Sequence, residues 1–442
     1  MDLLNCNTKK VYFKFLLAAF GSALITSIYG IVDMAMVGQY YGPIGSSAIA
    51  IVAPIWNIVY SLGLLIGIGA SILFSICKGE KKKDPNIYFT SAIFYGIVIS
   101  LALYLVIWLQ EDNLLHLFGG DNETIPLAKE YLLPVKFTIP FFVFSQIFAS
   151  FLRNDNNPHL ATISVIAGGV INIFGDYFFV FVLNMGIMGA GLATCLCSII
   201  SVIAMSIHFF QKKNTLKLVK SKEIFKPFFG IFKNGFPSFI IDLAMGILTI
   251  FYNRQIAKYF NNDVLSVYSI IINISTLAQC CSYGIGEAAQ PIVSQNFGAK
   301  KLNRVNEVLK YVIITSFVVG LVWMIISMAM PNVLVKIFMK PTESVLNIAP
   351  NIIRLYAISF ILLPLNVAST FYFQSILKSN VSLIISIARG VLISGICVYI
   401  LPLINKNLIW LAMPIAEALV CLFVFANILK FKKEQKNVIA LD

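Results

Sequence analysis

Long apolar runs and short polar stretches alternate along the whole chain. Each run holds about 20 to 30 residues without the in-out alternation of a β-strand, and a helix that spans a membrane needs about 20 apolar residues. A membrane β-barrel would instead show alternating strands of about ten residues. The pattern therefore predicts twelve spanning helices, roughly over residues 11–37, 44–76, 87–109, 127–152, 159–183, 187–210, 228–258, 264–297, 305–330, 350–377, 380–404 and 408–430.

A lysine-rich stretch divides the predicted helices into two equal sets. We expect an amino-terminal lobe over 1–213, a connector over 214–226 and a carboxy-terminal lobe over 227–442. Parallel repeats are a transporter architecture in which the substrate binds between the halves. The predicted fold class is an all-α polytopic membrane protein with twelve transmembrane helices in two pseudo-symmetric six-helix lobes. A shift of 219 residues aligns Gly67, Ala70, Ser75, Gly79, Lys81 and Lys82 with Gly286, Ala289, Ser294, Gly298, Lys300 and Lys301.

The composition agrees with a membrane protein and excludes several other classes. Hydrophobic residues make up 59% of the chain, charged residues 12%, and the mean hydropathy is +0.85. A soluble domain averages roughly 45–50% apolar and about 25% charged residues. A soluble enzyme, a disordered scaffold and a secreted disulfide domain are therefore excluded. The cysteines form no C-x-x-C pair and the three histidines no metal spacing, so we expect no metal beyond a Na⁺ site.

The charges fix the expected orientation in the membrane. Most of the 33 basic residues fall in the two tails and in the even-numbered loops, whereas the loop over 110–126 carries four acids and no Lys or Arg. By the positive-inside rule, both termini are expected in the cytoplasm. The net charge of +13 then reflects loops that face anionic lipid. The expected partners are membrane lipid and small organic molecules, with no nucleic acid, and we expect a monomer.

Acidic residues inside the hydrocarbon are costly and are treated as functional until another role is found. Two of them fall at one depth with other polar groups. Asn172 and Asp176 share one face of the fifth helix, Asp33 lies near the outer end of the first, and Thr194 lies near the outer end of the sixth. At 1.5 Å per residue, all lie about 10–12 Å below the outer surface. Such a cluster suits Na⁺ or a shared proton, and the alternative is a polar cluster that holds helices together. The five acids are Asp33, Asp176, Asp242, Glu287 and Glu417.

Two interpretations are open for the polar residues outside this cluster. Asp242 and Glu287 are expected to line a substrate cavity, with Thr26 and Lys136 as further candidates. The alternative is that the two acids pair with Lys136, Arg254 or the backbone.

Arg389 and Glu417 lie near the centres of the last two predicted helices. We expect them to form an internal, structural ion pair.

Four segments resemble the multidrug and toxic compound extrusion (MATE) transporters, in particular their bacterial MepA-like branch. They are Ile31–Gly38, Asn172–Phe181, Gly186–Cys195 and Gln290–Arg304. The resemblance implies an antiporter without catalytic residues or a cofactor, in which inward Na⁺ or H⁺ drives out lipophilic, mostly cationic compounds. It also implies a cation site made by Asp33, Asn172, Asp176, Thr194, the carbonyl of Ala190 and Tyr29.

Two departures from the family pattern limit what the resemblance implies. Some members bend the first helix at a proline, and Val11–Val37 has none. Asp242 is not in register with the glutamate that another branch carries on the seventh helix. We therefore expect no second cation site in the carboxy-terminal lobe.

Two other functions remain open from the sequence. A flippase for a lipid-linked precursor, from the same wider superfamily, would favour basic residues in the central cavity over paired acids. An integral-membrane lipid enzyme would need catalytic groups at a membrane face, and the short loops hold no such motif.

Overall fold

The computed structural model describes residues 3–81, 84–339 and 341–439, so Lys82 and Lys83 of the predicted basic loop and the last residues of the predicted second lobe lie outside it. The described residues form helices and no strand. Twelve helices are long and apolar enough to cross a membrane, which confirms the predicted fold class. They are α1 (Thr8–Tyr41), α2 (Pro43–Glu80), α3 (Asn86–Leu117), α4 (Thr124–Asn154), α5 (Pro158–Val182), α6 (Gly186–Phe210), α7 (Phe228–Tyr259), α8 (Asn262–Gly298), α9 (Leu302–Ala329), α10 (Glu343–Ser375), α11 (Ser379–Ile404) and α12 (Lys406–Gln435).

The end of α3, the start of α10 and one additional short helix differ from the sequence-based expectation. Helix α3 continues past residue 109 to Leu117, because Glu111 and Asp112 find ion-pair partners on α4. Helix α10 begins at Glu343, seven residues before the predicted start at 350, behind the Thr342 cap. A short helix over Pro331–Phe338 precedes it and was not predicted, since its apolar run is too short to span a membrane.

The fifth helix of each lobe contains a π-helical segment. In α5 it covers Tyr177–Val182 and begins directly after Asp176, and in α11 it covers Ala388–Leu392. Single π-helical turns inside α-helices occur frequently at functional sites. The segment in α5 therefore marks the region around Asp176 for closer description.

The first and the last described segments of the chain lie on one face of the helix bundle, which we call the terminal face. The side chain of Arg304 donates to the Leu3 carbonyl at 3.1 Å, and that of Asn306 donates to Gln435 at 2.8 Å. Both donors belong to the first turns of α9. An even number of membrane spans likewise places both ends of a chain on the same side of the membrane.

The helices form two lobes, α1–α6 (lobe 1) and α7–α12 (lobe 2). Within lobe 1, α4 packs on α2 and α6, and α5 packs on α1 and α6; within lobe 2, α8 packs on α9 and α10, and α11 packs on α7 and α10. The lobes meet where α1 contacts α8 and where α2 contacts α7 and α8.

Glycines bring the two lobes into backbone contact near the terminal face. A Cβ atom added at Gly69 would lie 3.0 Å from the backbone nitrogen of Gly235, and one added at Gly79 would lie 2.8 Å from that of Ala299. A larger residue at either glycine would push the helices apart, as small residues allow close helix packing in membranes. The lobes are thus closed together at their terminal halves.

A buried carboxylate fixes the start of the connector to lobe 1. Asp155 accepts hydrogen bonds from Lys78 at 2.7 Å, from His208 at 2.9 Å and from the backbone nitrogen of Thr215 at 2.8 Å. Burial raises the pKa of the Asp155 carboxyl, but the hydrogen bond from His208 and the charge of Lys78 outweigh it and hold that pKa below its usual value. The connector then follows α3, where Thr90 accepts from the nitrogen of Val219 at 3.0 Å.

Candidate cation site and interlobe space

Two aspartates of lobe 1 meet in its interior. Asp33 lies on α1 with 5% of its surface exposed, and Asp176 is fully buried at the last α-helical turn of α5. Their carboxyl groups are close enough for one to hydrogen-bond the other when it carries a proton. The helices come together because α5 presents Gly169, where an added Cβ would lie 3.2 Å from the Tyr29 ring of α1.

A small set of donors orients this pair. The Tyr131 hydroxyl on α4 donates to Asp33 Oδ2 at 2.8 Å and lies 3.3 Å from Thr194 Oγ1 on α6. The Asn172 amide nitrogen lies 3.3 Å from the same Thr194 hydroxyl and donates to it. The amide oxygen of Asn172 is buried and has no hydrogen-bond partner among the described residues.

Four oxygen atoms of the cluster are buried and accept no hydrogen bond from the described part of the chain. They are Asp33 Oδ1, Asn172 Oδ1 and both carboxylate oxygens of Asp176. Buried polar atoms are almost always paired in native proteins, and a buried unpaired charge is costly. A small hard cation takes oxygen ligands of this kind, and a proton shared by the two carboxyls would satisfy them as well. The donor set therefore fits either ion.

Three other predicted site residues lie on α6 and α1: Ala190, Tyr29 and Thr26. Ala190 is buried on α6, one turn before Thr194, so its carbonyl lies on the same helix and at a similar depth. Tyr29 is half-buried and packs at the contact of α1 with α5. Thr26, predicted as a substrate-cavity candidate, donates to the Ser22 carbonyl of its own helix at 2.8 Å.

Sequence reasoning missed Tyr131, because its position in α4 relative to Asp33 depends on how the helices pack. We expect Tyr131→Phe to weaken cation binding at this cluster by about tenfold or more, since a hydrogen bond to a charged group contributes about 1.5–3 kcal/mol. The measurement is equilibrium binding of Na⁺ or of protons to the purified protein. Tyr95→Phe is the matched control, because the Tyr95 hydroxyl donates to the Phe225 carbonyl of the connector. Equal effects of the two substitutions would contradict the role of Tyr131.

A second group of polar residues lies between the lobes. Asp242 on α7 is half-buried; the Tyr283 hydroxyl of α8 donates to its Oδ1, and its Oδ2 is buried with no partner among the described residues. The Tyr60 hydroxyl of α2 lies within electrostatic reach of Asp242 and of Glu287. Lobe 1 and lobe 2 both contribute to this region, which we call the interlobe space.

The partners of Glu287 and Lys136 differ from those that the sequence offered. Glu287 pairs with Arg153 at 2.9 Å, and Lys136 pairs with Glu111 of α3 at 2.7 Å. Lys136 also lies 4.8 Å from the ring centre of Trp108, so it is held between α3 and α4 inside lobe 1. The sequence placed Arg153 in a loop after the fourth helix, and this is wrong, because α4 continues to Asn154 and buries Arg153.

Arg389 and Glu417 form an ion pair in the core of lobe 2. The Arg389 Nε donates to Glu417 Oε1 at 2.6 Å, and the Asn366 amide donates to Glu417 Oε2 at 2.6 Å. The guanidinium also lies 3.4 Å from the side-chain oxygen of Gln279. In contrast to the acids of lobe 1, Glu417 therefore has its charge compensated.

Comparison with known proteins gives consistent matches over most of the chain. The MatE family model matches residues 18–178 and 237–400. A curated relative, Multidrug export protein MepA of Staphylococcus saprophyticus subsp. saprophyticus, is 26% identical over 377 residues, which cover 84% of this chain and 82% of the relative. Multidrug export protein MepA of Staphylococcus aureus (strain MRSA252) is 27% identical over 406 residues, covering 90% and 88%.

Solved structures share the fold. The outward-facing conformation of a multidrug resistance MATE family transporter of the MOP superfamily superposes with a TM-score of 0.91 at 20% identity, covering 98% of each chain. A MOP superfamily transporter from Pyrococcus furiosus superposes with a TM-score of 0.90 at 20% identity, also covering 98% of each chain. At this identity the likeness extends to the fold alone.

Proposed function

The chain belongs to the MatE family of membrane transporters, and from this premise we propose that it is a secondary active multidrug antiporter. It exports lipophilic, mostly cationic organic compounds in exchange for inward Na⁺ or H⁺. The observation that carries the proposal is the set of four unpaired buried oxygens on Asp33, Asn172 and Asp176. The relatives named as multidrug export proteins support the substrate class.

The acid cluster supports ion coupling because it is incomplete without a positive charge. Two carboxylates next to each other repel, and burial removes the water that would otherwise screen them. Binding of Na⁺ or of a proton relieves both costs. Because Tyr131 and Thr194 hold the cluster from α4 and α6, ion binding also changes how the helices of lobe 1 are tied together.

The interlobe space supports binding of a cationic organic compound. It presents the Asp242 carboxylate, which has one unpaired buried oxygen, together with the aromatic rings of Tyr60 and Tyr283. Aromatic faces attract cations, more strongly where water is excluded. A flat lipophilic cation would find both attractions in one place.

The orientation follows from the charge pattern. With both termini in the cytoplasm of a bacterium and the chain in its cytoplasmic membrane, the closed terminal face seals the interlobe space from the cell interior. This is the state that releases the exported compound. The coupling ion arrives from outside, and its differential affinity for the two states sets the exchange. By linkage, the ion and the compound alter each other's affinity by the same factor.

The test is efflux of a fluorescent organic cation, such as ethidium, from vesicles that contain the purified protein. A Na⁺ gradient and a pH gradient are imposed separately, and an ionophore that collapses each gradient serves as the control. We expect one gradient to accelerate efflux and its ionophore to abolish the acceleration. Efflux that is absent, or that responds to neither gradient, would contradict the antiporter and favour the lipid-linked precursor flippase.

A further inference from the structure

An ion pair joins the two lobes at the inner end of the interlobe space. Arg153 Nη2 of α4 lies 2.9 Å from Glu287 Oε2 of α8, and both side chains are largely buried. The same guanidinium is 3.5 Å from the Ser22 hydroxyl of α1. Next to the pair, the side-chain amides of Asn154 and Gln290 bond each other at 2.9 Å and 3.1 Å. The cation belongs to lobe 1 and the acid to lobe 2.

The pair decides how much negative charge the interlobe space presents. Asp242 and Glu287 are near enough to influence each other electrostatically, and both influence the Tyr60 hydroxyl. Arg153 neutralises Glu287, so Asp242 is left as the uncompensated acid of this group among the described residues. With the terminal face closed, a cationic compound therefore meets one carboxylate instead of two.

Opening the terminal face must separate Arg153 from Glu287. The ion pair crosses the same lobe interface as the backbone contact between Gly69 and Gly235. Moving the lobes apart there therefore lengthens both the ion-pair distance and the backbone contact. Glu287 then loses the counter-charge that it has while the lobes are in contact, and its carboxylate becomes free to pair with another cation. The cationic group of a compound entering from that side can supply the missing charge.

We propose that Arg153 is a built-in competitor for the cationic substrate. It occupies Glu287 when the terminal face is closed, and it leaves Glu287 to the substrate when that face is open. The inference rests on the proposed export function and deepens it, because it gives a physical reason for tight loading on one side and release on the other. A neutral lipophilic compound gains nothing from Glu287, so the alternation of affinity is specific to cations.

The alternative is that the ion pair merely fastens the lobes together. Arg304 provides a matched control, since it also crosses the interface at the terminal face. Its guanidinium donates to the carbonyls of Leu3 at 3.1 Å and Cys6 at 2.7 Å, and it leaves Glu287 untouched. Arg304→Gln removes a positive charge and contacts between the lobes, as Arg153→Gln does, but does not free a carboxylate in the interlobe space.

The experiment measures equilibrium binding of tetraphenylphosphonium to the purified full-length protein at fixed pH and ionic strength. We expect Arg153→Gln to bind this cation about tenfold more tightly than wild type, which corresponds to about 1.4 kcal/mol. Arg304→Gln should bind it as wild type does, and Arg153→Gln combined with Glu287→Gln should return to the wild-type affinity. Glu287→Gln alone should bind more weakly than wild type, because Arg153 is then left unpaired and repels the probe. This single variant keeps the test decisive if Arg153→Gln does not fold.

The possible outcomes separate this inference from the proposed function. Unchanged or absent binding in Arg153→Gln, or an equal gain in Arg304→Gln, would overturn the competitor role even if wild type exports ethidium. A different result would be that wild type exports no organic cation, while Arg153→Gln still binds tetraphenylphosphonium more tightly and the double variant loses this gain. The export function would then be contradicted, and the competition between Arg153 and the cation would be supported. A double variant that binds as tightly as Arg153→Gln would overturn the inference, since the gain in affinity would then not depend on Glu287.

Discussion

Asp176→Asn is expected to abolish ion-driven efflux while the protein stays as stable as wild type or becomes more stable. Both carboxylate oxygens of Asp176 are buried without a partner in the described chain, so its charge is available to bind an ion and stabilises nothing visible in the ion-free fold. An amide of the same shape removes the repulsion from Asp33 and with it the site's second negative charge. Stability gained where activity is lost is typical of strained functional sites. The measurements are efflux from vesicles and thermal unfolding in ion-free buffer.

Asp112→Asn is the matched control for this substitution. It makes the same chemical change at an exposed carboxylate of α3 that pairs with Lys129. We expect wild-type efflux and a stability change within about 1 kcal/mol, as for surface ion pairs in general. If Asp176→Asn destabilised the protein strongly and left efflux intact, the cluster would be a structural one that holds the helices together.

Glu417→Leu is expected to lower the free energy of unfolding by about 3–5 kcal/mol, the usual cost of breaking a buried ion pair by removing one partner. Glu417 is fully buried and is the ion-pair partner of Arg389, so the substitution leaves the guanidinium without a counter-charge inside lobe 2. It also removes one of the two acceptors of the Asn366 amide, which still donates to the backbone carbonyl of residue 417 at 2.9 Å. The measurement is thermal unfolding of the purified protein, followed by its helical circular dichroism.

A double variant separates the ion pair from simple packing. Arg389→Met combined with Glu417→Leu replaces both charges by apolar groups, and such replacements are often neutral or stabilising. We expect it to recover most of the stability that Glu417→Leu loses. Glu434→Gln is the control for a partly exposed pair, with Lys378, and should cost about 0–1 kcal/mol. Similar losses in Glu417→Leu and Glu434→Gln would contradict a structural role of the buried pair.

The twelve helices and the acidic pair could be predicted because both follow from one-dimensional rules. Membrane spans need uninterrupted apolar runs, and Asn172 and Asp176 are four residues apart on one helix face. The depth of Asp33 follows from its distance to the end of α1. None of these inferences requires knowledge of which helix faces which neighbour.

The residues that escaped prediction depend on packing between helices. Tyr131 reaches Asp33 across 98 positions of sequence, and Arg153 reaches Glu287 across the lobe interface. Counting residues along a helix gives depth in the membrane but not direction around the helix axis. The predicted fourth helix ends at residue 152, which places Arg153 in a loop, where no pairing with Glu287 is expected.

The two lobes share helix order and differ in charge balance. Their fifth helices both carry a π-helical segment, after Asp176 in α5 and around Arg389 in α11. Near these segments, lobe 1 holds Asp33 and Asp176 with unpaired oxygens, whereas lobe 2 holds the Arg389–Glu417 ion pair; a further acid of lobe 2, Asp242, also has an unpaired oxygen. The buried charge next to the π-helical segment is therefore paired in lobe 2 and unpaired in lobe 1.

The central claim is that Asp33 and Asp176 bind the coupling ion, and ion binding to the purified protein tests it most directly. Equilibrium binding of radioactive Na⁺ and uptake of protons from a weakly buffered indicator solution are measured for wild type, Asp33→Asn and Asp176→Asn without any organic substrate. We predict saturable binding of one of the two ions to wild type and its loss in both variants. Binding that persists unchanged in both variants, or that is absent from wild type for both ions, would contradict the assignment of this site.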